Sequence, residues 1–184
     1  MKAVACAYPA DWAVKETVAL PVFTDQIPPK GATGRIDFRL QGLISGLIME
    51  QLVDKDDYWL IINPNRMVAP ELLLVPLGST ETLGLEKVSV WFQKVCEKLS
   101  GAGAKNFSVA VGDLYRPEFQ MKEFSGVLIK CLLKFSFEQV KFYSRLDLAE
   151  KLVQELNRWK YHFKDEQPIE LDLVDIPEVF GEKQ

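Results

Sequence analysis

A chain of 184 residues, 48% hydrophobic and 26% charged, has the material for one packed domain and no room for a second catalytic one. Its 22 Lys and Arg against 26 Asp and Glu give a net charge of −4, the wrong sign for a protein that grips nucleic acid by neutralising phosphates. One histidine, His162, and the distant cysteines Cys6, Cys96 and Cys131 supply neither CxxC nor His-x-x-x-His spacing, so no metal site and no metal cofactor are expected.

Along the chain, TVALPVF at 17–23 predicts a first strand, delivered into the turn-rich segment TDQIPPKGATG. From residue 36, Ile36, Leu40, Leu43, Ile44, Leu47, Ile48 and Leu52 recur at spacings of three and four and predict one amphipathic helix, with Asp37 in its first turn favoured by the helix dipole. YWLIIN at 58–63 and ELLLVPL at 71–77 predict two strands joined by a hairpin loop or a short crossover, the second apolar enough to be buried on both faces. Leu85, Val88, Trp91, Phe92, Val95 and Leu99 predict a helix ended by the glycines of GAGAK.

FSVAVGD at 107–113 predicts another strand, and Pro117 suits the first turn of a helix striped by Phe124, Val127, Leu128, Cys131, Leu132 and Phe135. A short strand comes next, at 138–144. Asp147 and Glu150 have capping-box spacing ahead of a helix carrying Leu148, Leu152, Leu156, Trp159 and Phe163. PIELDLVD then alternates as a half-exposed strand. Strands alternating with helices imply an α/β fold, a three-layer α/β/α sandwich with a mixed, mostly parallel sheet.

The first 16 residues carry Asp11 and Trp12 where a signal peptide needs an apolar run, and no segment reaches the ~18 consecutive apolar residues that span a bilayer. With an odd number of scattered cysteines, the chain reads as cytoplasmic, with reduced thiols and no membrane partner.

Ligands of open α/β sheets bind beyond the carboxyl ends of the strands, which selects three loops. In PPKGATG, Gly31, Thr33 and Gly34 with Lys30 and Arg35 offer backbone amides at a helix start to an anion, or merely let the chain turn. Gly78, Ser79 and Thr80 offer hydroxyls and amides, or a helix cap. Gly112 to Arg116 places Asp113 after a central strand. Gly42 and Gly46 form a GxxxG read as permitting close helix-to-sheet packing. A Cys–His nucleophile would require His162, near a helix end in solvent; the acid pairs Glu50 and Asp54, Asp56 and Asp57, and Asp172 and Asp175 read as solvated carboxylates.

The segments KGATGRIDFRLQGLISGLI, ELLLVPLGSTETLGLEKVSVWF and GAGAKNFSVAVGD, in this order, resemble the N-terminal domain of the leucyl aminopeptidase family over residues 14–145. The resemblance implies a macro-domain-like fold for a single domain spanning 1–184, with 146–184 as a helix-and-strand extension. That family's catalytic groups and its NTDAEGR signature lie in a separate C-terminal domain without counterpart here, so no catalytic residue is carried over. The resemblance therefore implies a non-enzymatic module that acts through a protein partner or as a homo-oligomer. The alternative is a macro-domain-type binder of ADP-ribose or a related small nucleotide, with Asp25 for the adenine and Gly31 to Gly34 for the phosphates.

Overall fold

The computed structural model describes residues 1–51, 58–62, 64, 66–163 and 168–175. Seven strands form one sheet in the order β3-β4-β2-β5-β6-β1-β7. They are β1 (Lys2–Cys6), β2 (Thr17–Phe23), β3 (Trp59–Ile62), β4 (Glu71–Gly78), β5 (Asn106–Val109), β6 (Gln139–Tyr143) and β7 (Glu170–Val174). All neighbours pair in parallel except β3, which runs antiparallel to β4 with Trp59 opposite Leu74. The mixed sheet, its edge hairpin and the doubly buried β4 agree with the sequence pattern.

Helices α1 (Gly31–Arg39) and α2 (Leu43–Met49) cover one face; α3 (Leu85–Gly101), α4 (Met121–Leu132) and α5 (Leu146–His162) cover the other. Every residue of β2 is buried, because its alternating side chains feed two separate cores. Val18, Leu20 and Val22 pack with Ile36, Ile44, Leu72 and Leu74 beneath α1 and α2. Ala19 and Phe23 join Trp91, Phe92, Phe107, Phe124 and Phe142 beneath α3, α4 and α5. The three-layer α/β/α fold is thus a single sheet with an apolar layer on each side. A buried polar group interrupts the first layer: Glu16 accepts from Ser108 Oγ at 2.6 Å and pairs with Lys141 Nζ at 3.3 Å, with the Tyr143 hydroxyl at 3.4 Å.

Several local expectations are corrected. β1 has no counterpart among the elements expected from sequence; KAVAC is too short and too small in its side chains to carry a two-residue alternation, and it becomes a strand by lying between β6 and β7. The single helix expected from residue 36 is two, broken where Gln41 and Gly42 take φ of 60° and 83°. Asp37 is therefore not a first-turn acid. Buried near the end of α1, it accepts from the amides of Ile44 and Ser45 at 2.7 and 3.1 Å and from Ser45 Oγ at 2.5 Å, capping α2. Gly42 and Gly46 serve no close packing, since a Cβ on either would meet nothing within 4 Å; Gly42 is there for its positive φ.

Pro117 precedes α4 in a turn, outside the helix. Asp147 lies inside the first turn of α5, paired with Arg145 at 3.5 Å, and forms no capping box. The 107–113 strand ends at Val109, and residues 111–113 form a 3₁₀ turn. Leu52, Asp54, Asp56 and Asp57 lie outside the described residues.

The capping role of Asp37 has a measurable weight. Asp37→Ala leaves two amides at the start of α2 without their acceptor, and a loss of about 1–3 kcal/mol in urea unfolding is expected, with Asp37→Asn losing less. An unfolding midpoint unchanged in Asp37→Ala would refute this assignment.

Candidate functional site

The loops after β1 and β5 and the carboxyl end of β2 meet at the first turns of α1, through Asp11, Asp113 and Pro21, while the loop after β4 is tied to the one after β2 through Asp25. A helix start leaves backbone amides without intrahelical acceptors, and the residue before α1, Lys30, caps none of them with its side chain. The acceptor comes from 80 residues away. Asp113, at the end of the 3₁₀ turn after β5, takes the Ala32 amide on Oδ1 and the Thr33 amide on Oδ2, each at 3.1 Å. The Thr33 hydroxyl donates to the Pro21 carbonyl at 2.9 Å, fastening the same turn to β2. A Cβ on Gly31 would overlap the Asp113 carboxylate, and one on Gly34 would overlap the Pro29 carbonyl, so both glycines serve a close approach. Burial pushes the Asp113 carboxyl above its usual range, against the pull of its hydrogen bonds and of Arg116.

Asp25 belongs to a second knot. Just beyond β2, it accepts from Ser79 Oγ at 2.8 Å, Thr80 Oγ1 at 2.7 Å and the Thr80 amide at 2.9 Å, and Gly78 turns there with φ 79°. Ser79 in turn accepts from the Glu81 amide, capping the 3₁₀ turn 80–82; α3 begins later, after Gly84. The slight burial of Asp25 works to raise its pKa, yet the Thr80 and Ser79 bonds hold it down at about 2.

The residues singled out from sequence thus fall into two groups, Gly31, Thr33, Gly34 and Asp113 in one and Asp25, Gly78, Ser79 and Thr80 in the other. In each, the carboxylate faces this chain's own donors. What lies open is beside them. Along the exposed side of α1 runs a groove of about 620 Å³ lined by Lys30, Gly31, Gly34, Arg35, Phe38 and Arg39 with Asp11. Asp11, on the 3₁₀ turn after β1, is buried and accepts from Arg35 Nε at 3.0 Å and Arg39 Nε at 2.8 Å. Burial opposes its ionisation, but the two guanidinium groups hold its carboxyl below the usual range.

Both arginines remain partly in solvent, Arg35 with 54% of its side chain exposed, so the groove offers three cations against one satisfied carboxylate. Phe38, 86% exposed, stands between this groove and a second of about 710 Å³ that reaches Arg66 and Ser45. Sequence reasoning named Lys30 and Arg35 but missed Phe38, Arg39, Asp11 and Arg66. The Arg35–Arg39 spacing of four was a readable signal of a shared helix face; Asp11 carried none, because its place depends on β1.

Elsewhere, His162 is exposed at the end of α5, and Asp172 pairs with Lys2 at 3.4 Å. Among the described residues no three His, Cys, Asp or Glu side chains converge as metal ligands, and no helix is long and apolar enough to cross a membrane.

No family model matches this chain, and a search of curated proteins finds no significant match. Solved structures do match its fold. A mutant of the Oceanobacillus iheyensis macrodomain superposes with a TM-score of 0.66 at 9% identity, over 86% of this chain and 92% of that one. The macrodomain of Thermus aquaticus DarG gives 0.60 at 9% identity, over 78% and 99%. Thermosipho africanus DarTG in complex with ADP-ribose gives 0.54 at 14% identity, over 72% of this chain and 38% of that one. The fold is that of a macrodomain; nothing in these comparisons shows the leucyl aminopeptidase link expected from the sequence.

The Asp25 knot makes a pH prediction. A carboxyl held low in the folded state adds stability that is complete above the ordinary Asp range and is lost as pH falls toward its folded value. NMR titration of the Asp25 carboxyl should give a midpoint of about 2, rising toward ~3.9 in Ser79→Ala/Thr80→Val. An ordinary midpoint in the unmutated protein would refute the knot.

Proposed function

We propose that the protein binds ADP-ribose or a related nucleoside diphosphate along the exposed side of α1, and binds it without hydrolysing it. The observation that carries this reading is the groove itself. Lys30, Arg35 and Arg39 line it, and the exposed Phe38 ring stands at its rim, at the end of the sheet where α/β folds take ligands. Guanidinium groups match phosphate oxygens in pairs, and a solvent-facing aromatic ring gives a purine a surface to stack on. Structures of the same fold hold this ligand class: the Oceanobacillus iheyensis macrodomain has been solved with ADPR and with ADP, and DarTG with ADP-ribose.

The seat that a helix start ordinarily offers an anion is taken here by Asp113. That moves the expected phosphate position off the first turn of α1 and onto Arg35 and Arg39. It also argues for binding without chemistry, because the carboxylates of Asp25 and Asp113 are both engaged by several internal donors and neither is poised to take a proton from water.

Calorimetry with ADP-ribose should show a Kd tighter than roughly 100 μM, about 5.5 kcal/mol. Phe38→Ala and Arg35→Ala, both at exposed positions, should each weaken it roughly tenfold through lost stacking and lost charge-assisted hydrogen bonds, while ADP-ribosylated peptide stays intact. Absence of binding at millimolar nucleotide, or affinity indifferent to both substitutions, would overturn the reading.

A further inference from the structure

The sheet ends differently on its two sides. At one edge, β7 carries the exposed acids Glu170 and Asp172, with Asp175 just beyond it and Lys2 paired to Asp172 at 3.4 Å. Charges on an edge strand guard it against pairing with a second chain. The strand at the opposite edge, β3, reads WLII and has no charge, and Tyr58 stands before it. Because β3 pairs on one side only, with β4, alternate residues turn their N–H and C=O outward, and among the described residues no strand meets them.

The side chains of this edge are as open as its backbone. Leu60, opposite Leu73, projects to the α3 side of the sheet, and Tyr58 and Ile62 alternate onto the same side. Tyr58, Leu60 and Ile62 are 39%, 45% and 62% exposed, since α3 packs on β4 and leaves the outermost strand largely uncovered. Trp59 and Ile61, opposite Leu74 and Leu72, face the other way and pack partly buried on the core beneath α1 and α2.

We propose that β3 is the contact face of a twofold homodimer, in which β3 of each copy runs antiparallel to that of the other and the two sheets become one. A second copy fits because the segment is complementary to itself. Pairing centred on Leu60 sets Leu60 against its own copy, Tyr58 against Ile62 on the α3 side, and Trp59 against Ile61 on the other. Residues directly opposite share a side of the sheet, so this register keeps the α3 sides of the two copies together. Aromatic against β-branched is a favourable cross-strand pairing, and the twofold axis makes each pair occur twice.

The same axis sets whatever lies at its centre against itself, which turns a central charge into repulsion. β3 has none there, whereas β7 paired on itself would oppose Asp172 to Asp172. An edge without charge also gives little by which to select a foreign strand. The contact is short, covering less than the ~800 Å² per partner of a standard interface, so the expected Kd is on the order of 10–100 μM.

Sedimentation velocity on the full chain from roughly 1 to 500 μM brackets that Kd. The mass should rise from that of one chain to that of two and stop there. Leu60→Lys and Leu60→Glu, each with an unchanged far-UV spectrum, should weaken association roughly tenfold or more, because like charges then face each other across the axis. An equimolar mixture of the two should associate again, since only the twofold register sets position 60 against itself. Where either fails to fold, Ile62→Lys mixed with Tyr58→Glu tests the same register. Leu173→Lys, at an exposed position of β7, should leave the dimer unchanged. A single chain's mass at every concentration, growth beyond two copies, a dimer indifferent to Leu60→Lys, or a mixture that stays monomeric would each overturn the inference.

Discussion

The contact on which the α1 end of the molecule depends is the one between the Asp113 carboxylate and the first turn of α1. A helix that starts after an uncapped Lys30 must find acceptors for its leading amides or leave them dry. The carboxylate that accepts them hangs from the end of β5, the strand beside β2. Satisfying that requirement fixes the position of α1 over β2, forces glycine at 31 for room, and ties two loops that are 80 residues apart into one surface. An unsatisfied amide costs enough to make this a constraint rather than a preference.

Once α1 is seated, its remaining polar chemistry has only one direction to go. The inward side is consumed by Ile36 and by Asp37, which turns the chain into α2; the helix start is consumed by Asp113 and Thr33. Arg35, Phe38 and Arg39 therefore project along the outer side, and Asp11 holds the two guanidinium groups in register without neutralising both. The Asp25 knot performs the equivalent service for the loops after β2 and β4. The carboxylates of this edge are thus engaged by the chain's own donors, and the open part beside them is cationic.

Long-period signals were legible in the sequence, and local exceptions were not. The stripes of α3, α4 and α5 and the continuous apolar run of β4 reflect burial, which writes itself into the chain as periodicity, and they placed the α/β sandwich correctly. The break at Gln41 and Gly42 was invisible beneath an unbroken i, i+3, i+4 pattern, because two helices in sequence against the same core repeat the same spacing. β1 was invisible for the opposite reason: strand formation there is imposed by neighbours on both sides. At the candidate site, the glycines, hydroxyls and acids were found as residues but the partners of the two carboxylates were not, since the bonds of Asp25 and Asp113 span more than fifty positions. Asp25 and Asp113 are attractive as ligand contacts in one dimension and are engaged by the chain itself in three.

The position of β1 carries a consequence of its own. Made well before either neighbour, it lies between two strands from much later in the sequence, with Lys2 beside Gln139 on one side and Glu170 on the other. On the ribosome the β3-β4-β2-β5 half of the sheet can assemble while β1 waits, its small residues offering little to aggregate around. Closure of the β6-β1-β7 half then brings together segments separated by most of the chain, a long loop to close and a slow kind of step. The sheet therefore has a temporal order written into it: one half can form early in synthesis, and the other becomes possible only once β6 and β7 have emerged.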